Sequence, residues 1–73
     1  MENVICLIFI DYEKNMYKII KFLNRDIAKE YYRVALRKSN FKFAGLLNEC
    51  VEWCDKNNYS YEIILREKYN SRE

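Results

Sequence analysis

The sequence predicts an α+β domain in the order strand, helix, helix, strand, and three observations carry that prediction. Residues 4–10, Val-Ile-Cys-Leu-Ile-Phe-Ile, form an unbroken apolar run. Met16, Ile20, Leu23, Ile27, Tyr31 and Val34 recur with the phase of one helix face. Near the far end, Tyr59, Tyr61, Ile63 and Leu65 alternate with Ser60, Glu62, Ile64 and Arg66.

The first run, rich in β-branched residues, reads as a strand over residues 3–10. It is apolar on both faces and so requires cover on each side or a central place in a sheet. Asp11 follows as the expected cap of a helix, its carboxylate accepting from backbone N–H groups of the first turn.

From Tyr12 to about Lys38 the apolar phase continues without Gly or Pro, which predicts one long helix. At 1.5 Å per residue it would extend about 40 Å, against about 26 Å for the neighbouring strand. Either the helix bends near Asn24 to Asp26, or its far half packs on a second subunit. Ser39 and Asn40 supply capping oxygens for a second helix over residues 41–56, with Phe43, Leu46, Leu47, Cys50, Val51 and Cys54 on its apolar side. Gly45 lies inside that expected helix, where close approach of another helix would compensate its conformational cost. Asn57 and Asn58 form the stop.

Residues 59–66 read as a half-buried strand closer to an edge than the first. Residues 1–67 then make one compact domain and residues 68–73 a polar tail. Two strands cannot readily cover a helical layer of this size. The expected architecture is therefore two helices, the first long, packed on a small two-stranded sheet that a homodimer extends to four strands; a monomer with the helical pair on one side of the sheet is the alternative.

Chemistry is harder to find than shape. The chain of 73 residues holds no His, which removes the usual general base and the commonest neutral metal ligand. Cys50 and Cys54 are four apart, with Cys6 as the only further thiol, and their apolar setting favours core packing over metal or redox work. A carboxylate placed like Asp11, just after a hydrophobic strand, can be catalytic, but such sites draw further acids from successive strand ends. Glu49, Glu52 and Asp55 read as a solvated acidic face. Without a Gly-rich loop there is no phosphate cradle. No cofactor or metal is expected, and the chain reads as non-enzymatic.

Charge is the informative property. Net charge is +2, yet residues 1–13 carry three acids and no base, whereas residues 14–42 carry nine bases and two acids. On the expected long helix Lys14, Lys18, Lys21, Arg25 and Lys29 fall within an arc of roughly 80° opposite the apolar one. Arg33 and Arg37 extend this stripe, and Phe22 and Tyr32 flank it. Those nine residues form the expected interaction face. An acidic surface on a larger protein is the favoured target, and backbone phosphates of nucleic acid are the alternative. Buried reduced thiols and the short apolar run suggest a cytoplasmic protein with no membrane span. The abundance of Asn, Lys, Ile and Tyr fits an AT-rich genome, and so small a chain fits an accessory protein of a virus or plasmid.

Overall fold

The computed structural model describes residues 5–66. Six elements follow one another: β1 (Cys6–Asp11), β2 (Met16–Phe22), α1 (Arg25–Ala35), β3 (Phe41–Gly45), α2 (Leu47–Lys56) and β4 (Tyr61–Arg66). The four strands form one sheet in the order β3-β1-β2-β4. β1 runs antiparallel to both neighbours, and β2 runs parallel to β4.

This overturns the expected two-stranded sheet completed by dimerisation, because one chain supplies all four strands. The expected long helix over residues 12–38 is in fact a β-hairpin followed by an 11-residue helix. Residues 16–22 contain Tyr17, Ile19, Ile20 and Phe22, side chains that favour a pleated surface. Tyr17 and Ile19 pack on one face of the sheet while Ile20 and Phe22 pack on the other. Leu23, which the helical phase requires to be buried, is 64% exposed.

Local signals make the hairpin. Asn15 takes the left-handed conformation at φ 54°, which Asn tolerates better than most residues. Asp11 Oδ1 accepts from the backbone N–H groups of Glu13 at 3.1 Å and Lys14 at 3.3 Å. The residue expected to cap a helix therefore caps a turn. Asn24 is the true N-cap of α1, its Oδ1 accepting from Asp26 N–H at 2.7 Å and Ile27 N–H at 3.3 Å.

Segment 41–45 is also a strand rather than the opening of a helix over 41–56. Asn40 binds β1 instead of capping: its carbonyl accepts from Ile10 N–H at 2.9 Å and its Nδ2 donates to Ile10 O at 3.3 Å. Gly45 ends β3, and the close approach it permits is to a side chain of α2, not to another helix. A Cβ there would stand 2.7 Å from Glu49 Oε1. The expected stop after α2 is present: Asn58 adopts φ 57°, Tyr59 N–H donates to Cys54 O at 2.9 Å, and Asn58 N–H donates to Asp55 O at 3.1 Å. These are the paired bonds of a Schellman C-cap.

β1 has apolar neighbours on both sides. Its Cys6 and Ile8 join Ile19 beneath Cys50 and Cys54 of α2, with Leu47, Val51 and Trp53 packed around them. Leu7 faces the other way, into a cluster with Phe22, Ala28 and Ala35 under α1. The two helices thus cover opposite faces of the sheet. Each crosses between parallel strands, α1 from β2 to β3 and α2 from β3 to β4. They travel in opposite directions on opposite faces, so the two crossovers share one hand. The tail expected from Lys68 lies outside the described residues.

Candidate interaction surface

The hairpin scatters the basic stripe. Lys14 lies exposed in the β1–β2 turn. Lys18 sits on β2 with its Nζ 3.2 Å from Asp11 Oδ2 and 3.7 Å from Glu62 Oε2, so acids of its own chain hold it. Lys21 lies opposite Cys6 in the β1–β2 register and so belongs to the face under α2. Phe22 is buried, with its ring 5.0 Å from that of Tyr31. Tyr32 is half-buried with its ring 6.0 Å from that of Phe41. Neither aromatic flanks an exposed stripe, because the strand and helix that carry them turn them into the α1-side core.

Four of the nine residues remain together. Arg25, Lys29 and Arg33 follow one another at intervals of four along α1, and Arg37 lies just beyond its end; all four are exposed. Among the described residues Arg33 meets Glu30, at 3.8 Å, with both side chains more than half exposed, a pair of small energetic weight. Leu36 continues the helical backbone at φ −59°, ψ −19°. At 100° per residue it falls between Arg25 and Lys29, and with Arg33 these four span roughly 80° of the helix surface. Leu36 is 59% exposed, and Val34, on the same helix, is 52% exposed. Sequence reasoning assigned Val34 to the core and did not single out Leu36. The angle between Leu36 and the bases is the same on a helix begun at Tyr12 as on one begun at Asn24, so the signal was present in the sequence.

The layers differ in charge. Residues 25–38, α1 and its C-terminal turn, carry five bases and two acids, whereas α2 carries Glu49, Glu52 and Asp55 against Lys56. A four-stranded sheet stands between the basic layer and the acidic one.

Other groups are occupied by the fold. Burial would raise the Asp11 carboxyl, but the Lys18 ammonium and the Lys14 and Glu13 N–H groups outweigh it and hold the carboxyl below its usual range. With both oxygens engaged, Asp11 anchors the hairpin. Cys6, Cys50 and Cys54 are fully buried free thiols. The hydrogen bond with Cys6, together with burial, pushes the Cys50 thiol far up, and burial raises Cys54. Among the described residues, no three Cys, Asp or Glu side chains converge as a metal site, and no helix is long and apolar enough to cross a membrane.

No protein-family model matches the chain, and neither a curated protein nor a solved structure matches it.

Proposed function

We propose that this chain is a small interaction protein that acts by binding rather than by catalysis, docking the outward face of α1 on an acidic, partly apolar surface of a larger protein. The observation that carries this reading is the exposed Leu36 at the end of α1, one turn beyond Arg33 and on the same side of the helix as Arg25, Lys29 and Arg33. The bases would steer and orient an acidic partner, while the apolar side chain gains by leaving water, a contact that phosphate does not offer. The three reduced, buried thiols suit a reducing, cytoplasmic setting.

The test is affinity capture by the full chain, with and without nuclease, at low and raised salt, in parallel with a variant carrying Arg25→Glu, Lys29→Glu and Arg33→Glu. A protein retained by the original chain after nuclease and salt, and lost from a variant with an unchanged melting curve, is the expected result. Nuclease-sensitive capture, with log affinity falling steeply against log salt, would replace a protein partner by nucleic acid. Equal capture by both chains would remove α1 from the contact.

A further inference from the structure

The sheet has two edges, and they are built differently. β3 carries a bulge where Phe43 pairs with Ile8 and Phe41 with Phe9, and the residue between them is the exposed Lys42. A bulge and an edge lysine are common devices against pairing with another chain. β4 has no bulge, Lys or Pro, and its register with β2 is unbroken from Tyr61 to Arg66.

Among the described residues, β4 also leaves its outward bonding groups without a strand partner and its apolar side chains exposed. Tyr17 N–H donates to Ser60 O at 2.9 Å, so the even-numbered residues of β4 turn their backbone groups toward β2. Those of Tyr61, Ile63 and Leu65 consequently face outward. Helix α2 packs over β1, β2 and β3. Ile63 and Leu65, on the α2 side of β4, remain 48% and 49% exposed.

We propose that β4 pairs antiparallel with β4 of a second copy about a twofold axis through Ile64, joining two four-stranded sheets into one of eight strands. In this register Ile63 stands opposite Leu65 of the second copy, and the two exchange both backbone hydrogen bonds. Ile64 meets its own counterpart. Glu62 meets Arg66 of the second copy, twice by symmetry, in the non-hydrogen-bonded pairs where side chains approach most closely. Glu62 already lies 3.7 Å from Lys18, which in turn lies 3.2 Å from Asp11, so the added arginine continues a row of alternating charge. Shifting the axis to Ile63 would set Glu62 against Ile64 and lose that match. Charge therefore selects the register. The axis is normal to the sheet, so both α1 helices lie on one side and their basic faces add. The pairing uses no residue of α1 and does not depend on what α1 binds.

Sedimentation equilibrium of the full chain is expected to show a concentration-dependent dimer. Glu62→Arg or Arg66→Glu alone should weaken it about tenfold or more, since each affects two symmetric pairs, and combining them should restore it. Because Glu62 and Arg66 also touch Lys18 and Tyr31, an independent variant guards against misfolding. Ile64→Cys should form an intermolecular disulfide on mild oxidation, and Ile63→Cys should not. A monomer at every concentration, or cross-linking through position 63 in place of 64, overturns the proposal.

Discussion

Lys18 and Asp11 close the β1–β2 hairpin with an ion pair of 3.2 Å that neither residue could make within one helix. Seven positions apart in sequence, they meet because the chain reverses at Asn15. The pair holds the Asp11 carboxyl in its charged form, together with the turn N–H groups that also bind it. A depressed carboxylate stabilises the fold above its unfolded value, about pH 4, and that contribution is lost as pH falls through the lower folded value. Replacing Lys18 with Met should move the Asp11 titration upward, toward the ordinary value, as followed by the side-chain carboxyl carbon shift in NMR. An unchanged midpoint would show that the backbone N–H groups alone set it.

Leu7 and Leu23 offer a direct contrast between the observed fold and a single helix. Leu7 is fully buried and Leu23 is 64% exposed. Leu7→Ala should cost about 2–5 kcal/mol and lower the melting temperature by roughly 10 °C or more. Leu23→Ala, or even Leu23→Asp, should change stability by no more than about 0.5 kcal/mol. Thermal melts followed by circular dichroism decide it, and a large loss at Leu23 would count against the hairpin.

Gly45 and Glu49 should be energetically coupled. Glu49 Oε1 accepts from Leu46 N–H at 2.9 Å at the start of α2, and a Cβ on Gly45 would meet the same oxygen at 2.7 Å. Gly45→Ala should therefore displace the carboxylate and cost about as much as losing a cap, roughly 1 kcal/mol. Once Glu49 is already Ala, adding Gly45→Ala should cost clearly less. A double-mutant cycle by urea denaturation measures the coupling; strict additivity would mean that the carboxylate moves aside without loss.

The thiols should be unreactive while the protein is folded. All three cysteines are fully buried, which denies them to a reagent; hydrogen bonding and burial raise the Cys50 thiol and burial raises Cys54, and although the hydrogen bond with Cys50 lowers Cys6, that thiol is enclosed as completely as the others. Ellman's reagent should find essentially no reactive thiol at neutral pH and three after denaturation. Prompt native labelling of Cys54 would show that α2 lifts readily from the sheet.

Local chemistry makes several features legible in the sequence. An apolar run with no polar face demands the doubly covered position that β1 takes between two helical layers. Alternation along residues 61–66 marks a strand, but not which side is covered: Ile63 and Leu65 of its apolar side are exposed while Ile64 and Arg66 are half-buried, because α2 packs over β1, β2 and β3. The Asn57-Asn58 stop follows from the ease with which Asn enters left-handed backbone. The hydrophobic setting of the cysteines matches their complete burial. The candidate site was only partly legible. Arg25, Lys29, Arg33 and Arg37 stay together since they share one helix and its C-terminal turn, but Lys14, Lys18 and Lys21 were joined to them by a helical phase that residues 16–22 satisfy by coincidence.

By itself, then, the sequence determined which stretches bury apolar surface, where the chain can cap or turn, and how unevenly its charge is spread. Only the tertiary structure decided that Met16–Phe22 and Phe41–Gly45 are strands, and that a sheet separates the basic helix from the acidic one. The physical reason is the range of the bonds. A helix closes its hydrogen bonds within four residues and announces itself locally, whereas β2 and β3 take theirs from β1, with partners such as Ala44 and Leu7 lying far apart along the chain.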